Sequence, residues 1–217
     1  MLTALWADKG GSGTTVAACL LALVRARHRP ILLVDLAGDV PAALGVAEPT
    51  GPGVHDWVSA SGAPITALDA LAVSVNESLR FVPAGAVMAP PDHPRWAEFG
   101  QVLAAADDIT AVIDAGTTAG GHVPTAVVAA AQQRVLVTRA CYLTLRRSVG
   151  STLQPSHAIV VHEPGRSLST NDIAHSIGVS ALVELALDPA VARAVDAGLV
   201  LSRWPRLMVS RLRELDP

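Results

Sequence analysis

The stretch Asp8-Lys9-Gly10-Gly11-Ser12-Gly13-Thr14-Thr15 limits what this chain can fold into more than any other. A short apolar run, Leu2-Thr3-Ala4-Leu5-Trp6, precedes it and reads as a strand. Val16 to Val24 follows, apolar on nearly every face, and reads as a buried helix. Strand, glycine-rich loop and helix in that order form the context in which a loop can cradle phosphate. Glycine lets the backbone approach an anion closely. The helix start adds unpaired N–H groups and the positive end of its dipole. The competing reading is a flexible Gly-Gly-Ser-Gly turn with no chemistry.

Composition favours the phosphate reading. Lys9 is the single lysine among 16 Lys and Arg residues. A compact ammonium and a planar guanidinium are not interchangeable at a crowded phosphate. The chain has 217 residues, 51% of them hydrophobic, which suits one α/β domain with a large core. A net charge of −3 gives no overall basic signature for nucleic acid. The longest helical apolar run, Val16 to Val24, is too short to span a bilayer, and the N-terminus has no basic leader region. Cys19 and Cys141 lie in apolar surroundings and are expected to be buried and reduced.

Beyond the loop, a polar cluster from Arg25 to Pro30 ends the first helix, and Ile31 to Asp35 reads as a second buried strand. An Asp at a strand's C-terminal end faces the crevice where α/β proteins bind ligands. Gly53 to Val58 reads as a short surface helix; its adjacent His55 and Asp56 point in different directions and make a poor catalytic pair. Leu71 to Val75 and Leu79 to Gly85 read as strands, and Ala89 to Pro94 as a loop carrying Asp92 and His93. Trp96 to Ala106 reads as an amphipathic helix facing inward with Trp96, Phe99, Val102 and Leu103. Ile109 to Asp114 is a buried strand ending in a carboxylate, which with Thr15 makes a candidate magnesium site. Its other reading is an Asp that caps the next helix. Arg134 to Arg139, His157 to His162 and Ser180 to Leu185 read as further strands. Asn171 to Ile177 reads as a helix capped by Thr170. Trp204 to Leu215 reads as a helix with an apolar stripe ringed by arginines, so residues 202–217 form a C-terminal amphipathic helix.

The loop departs from the general pattern G-x-x-x-x-G-K-[ST]. Gly13 and Thr15 fit it, but Thr14 stands at the lysine and Asp8 at the first glycine. Lys9-Gly10-Gly11-Ser12-Gly13-x-Thr15 instead resembles the deviant Walker A loop of the ParA/MinD family of ATPases, K-G-G-x-G-K-[TS]. Later segments resemble that family in order: Asp35 with Leu44-Gly45, the strand running into Pro83-Ala84-Gly85, Arg134 to Arg147, His157 to Arg166, and Leu187 to Gly198. The likeness spans nearly the whole chain and extends to the CpaE-like, pilus-associated branch.

The resemblance implies one doubly wound α/β domain over residues 1–217, with a mainly parallel sheet flanked by helices, of P-loop NTPase type. It implies ATP and Mg²⁺ as ligands and a homodimer closed around nucleotide. Lys9 would reach the partner subunit's phosphates and act in catalysis. Gly10, Gly11, Ser12, Gly13, Thr14 and Thr15 would wrap the phosphates, with Thr15 and Asp114 at the metal. His162 stands where the family commonly has the Asn that reads adenine, and Asp188-Pro189 would lie beside the base. The family's second switch Asp, which orients the attacking water, is Ala37 here. Asp39 would substitute for it from a shifted position, although its reading as cap of the following helix fits the sequence better.

Two functions follow from the resemblance. One is a slow ATPase that positions or partitions a cellular cargo in the cytoplasm, as in chromosome partitioning or cell division. The other is a pseudo-ATPase adaptor in pilus or secretion-system assembly. An unidentified protein partner fits both, and the basic C-terminal stripe adds a possible membrane surface. An unrelated α/β enzyme is disfavoured, since no G-x-S-x-G and no nucleophile–base pair occurs.

Overall fold

The computed structural model describes residues 1–203 and 211–215. Strand β1 (Leu2–Ala7) is buried along its whole length. It runs between β5 (Thr110–Thr117) and β6 (Gln133–Arg139), parallel to both. With β2 (Ile31–Asp35), β3 (Val73–Ser74), β4 (Leu79–Val82), β7 (His157–His162) and β8 (Ala181–Ala186), these form one sheet in the order β3-β4-β2-β5-β1-β6-β7-β8. Only the edge pair β3–β4 is antiparallel. A parallel sheet needs cover on both faces, which explains the near-continuous apolar strands.

Alternate residues of each strand feed the two layers. On one face, Leu5, Leu33, Val112 and Val135 pack against α1 (Thr14–Arg25). On the other, Ala4, Trp6, Ile113 and Leu136 pack against α5 (Arg95–Ala105) and α6 (Thr125–Ala130). The remaining helices, α2 (Val40–Leu44), α3 (Val54–Ser59), α4 (Ala67–Leu71), α7 (Tyr142–Val149), α8 (Thr170–Ile177), α9 (Pro189–Asp196) and α10 (Val200–Arg203), connect and flank the sheet.

Several sequence expectations are corrected. α3 is not a surface helix: Val54, His55, Trp57 and Val58 are buried. His55 is held between two backbone groups, Leu36 O at 3.2 Å and Ala89 N–H at 3.1 Å. The run Leu71 to Val75 is the end of α4 and the two-residue β3, because a short apolar run at a sheet edge pairs on one side only. Val102 is 37% exposed rather than inward. Ser169, not Thr170, caps α8, accepting from the Asp172 N–H at 3.2 Å. Arg25 belongs to α1 and is fully buried. It donates to Thr3 Oγ1 (2.7 Å), Gln133 Oε1 (2.6 Å) and the Leu215 carbonyl (2.6 Å). Cys19 is buried as expected, but Cys141 is half-buried, its Sγ 3.0 Å from Thr144 Oγ1.

The C-terminal expectation lies partly outside the described residues, with 204–210 and 216–217. What is described after α10 is a 3-10 turn, Arg211–Leu215. Its Leu212 and Leu215 are buried in the core against α1.

Candidate functional site

The phosphate-loop candidate leaves β1 at the C-terminal edge of the sheet and enters α1. Gly13 sits at the helix N-cap with φ 94° and ψ 24°, and Gly11 has φ 74°. Those left-handed conformations suit glycine alone among common residues. Ser12 is buried and donates from Oγ to the Lys9 carbonyl at 2.8 Å, which staples the turn. Residues 9–15 together line a cleft of about 930 Å³. Its opposite walls come from Ala37 and Asp39 after β2, Gly116 in β5, and Asp196 and Gly198 around the end of α9. Lys9 is half-buried, Thr14 is buried and Thr15 is half-buried at the cleft.

Two buried carboxylates end neighbouring strands, with Asp35 opposite Asp114 in register. Asp35 is fully committed to backbone. Its Oδ1 accepts from the Ala37 and Gly38 N–H groups at 3.0 and 2.7 Å, and Oδ2 from Val40 N–H at 3.0 Å. This corrects the favoured reading of Asp39. Asp39 stands at the N-cap of α2 but makes no side-chain cap bond, because Asp35 already holds the first helical N–H. Asp39 is exposed and lines the cleft.

Asp114 differs from Asp35. Its Oδ1 accepts from Gly116 N–H at 3.1 Å, but its Oδ2 is buried without a partner among the described residues. Burial pushes its pKa up to about 7, the hydroxyl of Thr15 pulls it down, and the charge of Asp35 adds to the rise. A buried carboxylate oxygen lacking a donor is costly unless a cation meets it. Asp114 does not cap the following turn; Thr117 does, accepting from Ala119 N–H at 3.2 Å. No cluster of three or more His, Cys, Asp or Glu with metal-binding geometry occurs among the described residues. One hydroxyl and one carboxylate suit magnesium, which usually keeps several waters and takes phosphate oxygens as further ligands.

A second, more apolar cavity of about 300 Å³ adjoins the cleft and shares Ser12, Gly13 and Val16 with it. Leu185, Leu187, Val191 and Leu212 wall it, with Arg139 and Asp188 as polar members. Asp188 also caps α9, its Oδ1 accepting from Ala190 N–H at 2.7 Å. Pro189 is the first residue of α9 and lies outside the cavity wall. His162 lies outside it too; its carbonyl accepts from Leu187 N–H at 2.8 Å, and its Nδ1 is buried without a partner among the described residues.

Sequence reasoning missed two side chains here. Asp8 is buried and points away from the cleft, where its Oδ1 accepts from Thr118 Oγ1 (3.0 Å) and Ser151 Oγ (3.3 Å). Arg139 reaches the second cavity from the end of β6. A charged residue at a strand end was the only available signal for it.

No family model matches the chain, and no curated protein matches it. Solved structures do match. The septum site-determining protein MinD of Pyrococcus horikoshii, complexed with Mg-ADP, aligns with TM-score 0.76 at 20% identity over 99% of this chain and 94% of its own. A ParA family ATPase from Chlorobium tepidum aligns with TM-score 0.73 at 18% identity, over 99% and 97%. A chain of the MinC:MinD cell division protein complex of Aquifex aeolicus aligns with TM-score 0.75 at 15% identity, over 99% and 95%. The chain therefore has the doubly wound α/β fold of the P-loop NTPases. Within that class its fold is the one shared by MinD and ParA-family ATPases.

Proposed function

We propose that this chain is a ParA/MinD-like protein that binds ATP and Mg²⁺ in the cleft behind residues 9–15. The observation that carries the reading is Asp114 Oδ2, buried without a hydrogen-bond partner among the described residues and close to Thr15, which lines the cleft. Thr15 and Asp114 would hold the metal, which when bound neutralises phosphate charge. The N–H groups of the loop and of the α1 start would bind phosphate oxygens. The adjoining cavity would take the base, with Asp188 at its wall. The comparison protein from P. horikoshii carries Mg-ADP, which supports the same ligand class here.

In this reading the protein forms a nucleotide-dependent homodimer in which Lys9 meets the partner subunit's phosphates. It works in the cytoplasm, as a single domain, to position or partition a cargo through a protein partner. Asp39 would orient a water, a role supported by its exposure in the cleft and by its making no side-chain cap bond. Hydrolysis would be slow, since a positioned cation at the transferring phosphoryl group is worth on the order of 10³-fold and Thr14 carries none. A pseudo-ATPase adaptor is the second reading, favoured by Thr14 and Ala37 standing where the family has lysine and aspartate. Burial of Leu212 and Leu215 supports a C-terminal segment that packs on the domain over one that anchors in a membrane. No helix among the described residues is long and apolar enough to cross a membrane.

Thermal unfolding with and without ATP·Mg tests nucleotide binding. A ligand at 100 times its Kd stabilises the native state by about 2.7 kcal/mol. Thr15→Ala and Asp114→Ala should remove the magnesium-dependent part. No shift at millimolar ATP would refute the proposal. Sedimentation with ATP·Mg should show a dimer that Lys9→Ala abolishes, and a turnover assay separates the slow ATPase from the adaptor.

A further inference from the structure

The cleft is poor in positive charge. Lys9 is the one Lys or Arg among the described residues that line it, set against the carboxylates of Asp39 and Asp196. Thr14 offers a hydroxyl and no charge. A polyanionic nucleotide needs more than this, and the missing cation stands one strand away.

Arg139 is the last residue of β6. β6 runs parallel to β1 with Leu136 opposite Trp6. Both strands end beside the loop, β1 at Ala7 and β6 at Arg139. The Arg139 side chain is 29% exposed and lines the cavity that shares Ser12 and Gly13 with the cleft. Its Nη1 donates to Glu163 Oε1. The same carboxylate holds Arg166, whose Nε donates to Glu163 Oε2 at 2.7 Å. One carboxylate thus serves two guanidinium groups and leaves a surplus positive charge. The Arg139 Nε–H is buried and has no acceptor among the described residues. A buried donor without an acceptor is unfavourable and favours an incoming one.

We propose that Arg139 supplies the phosphate-binding charge that Thr14 lacks. On nucleotide binding its guanidinium turns from Glu163 to the phosphate oxygens, and Glu163 remains paired with Arg166. A guanidinium fork is well suited to this, because it grips phosphate through two parallel N–H bonds. The inference rests on the nucleotide reading above and extends it to a residue outside the loop.

The test is a titration of wild type, Arg139→Gln, Arg139→Lys and Glu163→Gln with ATP·Mg, inorganic tripolyphosphate and adenosine at low and high salt. Arg139→Gln should weaken ATP and tripolyphosphate roughly tenfold or more while leaving adenosine unchanged. The loss should shrink at high salt, where charge is screened. Arg139→Lys should recover part of the affinity. Glu163→Gln, which removes the competing carboxylate, should tighten tripolyphosphate, and it reports independently should Arg139→Gln fold poorly. Wild-type affinity for tripolyphosphate in Arg139→Gln overturns the proposal, as does an equal loss for adenosine, which would mark a damaged wall. Failure of wild type to bind ATP would instead overturn the nucleotide reading itself.

Discussion

Replacing Asp114 by asparagine should make the nucleotide-free protein more stable at pH 8, although it alters the candidate metal residue. Burial raises the Asp114 pKa from 3.8 to about 7. The native state therefore holds a proton that the unfolded chain releases between those values. The contribution of this group to stability is complete below about 3.8 and is lost as pH rises through about 7. At about 1.36 kcal/mol per pH unit, the displacement amounts to about 4 kcal/mol. Relaxation around the charged form lowers the measurable part to about 2–4 kcal/mol. Asparagine has the same shape, keeps an oxygen for the Gly116 N–H and carries no charge. His55, whose pKa burial lowers, slopes the other way, losing stability as pH falls below its ordinary 6.5. That slope is common to both proteins and cancels in their difference. Urea midpoints of wild type and Asp114→Asn from pH 4.5 to 8 should converge in acid and diverge with the variant ahead at pH 8. With saturating ATP·Mg the order should reverse, since only wild type gains the metal. Parallel curves across the pH range, or a variant weaker at pH 8 without ligand, would refute the picture of an uncompensated buried carboxylate.

Thr14→Lys should tighten tripolyphosphate about tenfold, the scale of one added charge-assisted contact, and unchanged affinity in a titration would mean that the loop does not wrap phosphate. Gly45 has φ 75°, and a Cβ there would lie 2.2 Å from the Gly198 carbonyl oxygen, so Gly45→Ala should cost about 2 kcal/mol or more in urea unfolding through strain and lost contact between α2 and the loop after α9. Arg25→Leu removes a donor from Thr3 Oγ1, Gln133 Oε1 and the Leu215 carbonyl at once; it should cost about 3 kcal/mol or more and expose the C-terminal segment to limited proteolysis.

The strands were legible where burial on both faces wrote itself as an unbroken apolar run. Ile31 to Asp35 appears in the structure with the same bounds, and its terminal Asp does face the crevice. Depth was not legible where it depends on distant partners. His55 is buried because Leu36 O and Ala89 N–H, 19 and 34 residues away, receive its two ring nitrogens. The cap of α2 was misread for a similar reason. Two aspartates, Asp35 and Asp39, were available, and only the turn through Gly38 (φ 90°) decides which carboxylate meets Val40 N–H. At the site, spacing identified the loop and the Asp114 strand. It could not show that Asp114 would have an oxygen without a partner among the described residues, or that Arg139 would line the cavity beside the loop from another strand.

The two departures at the ends of the loop differ in weight. A carboxylate at the first glycine position would repel an anion if it pointed into the cleft. Here Asp8 points to the far side, where it takes hydroxyl donors from Thr118, just after β5, and Ser151, just after α7. Its Oδ1 thereby ties the loop's base to two neighbouring segments, while its Oδ2 is buried without a partner among the described residues. Thr14 has no such redirection. It is the first residue of α1 and lines the cleft itself, so the charge absent from its side chain is absent where the phosphates would lie. The loop thus has left-handed turns at Gly11 and Gly13 and brings Lys9 as its one charged side chain to the cleft. Any positive charge beyond Lys9 must then arrive from outside the loop, from a strand end in the same chain or from a second copy facing it.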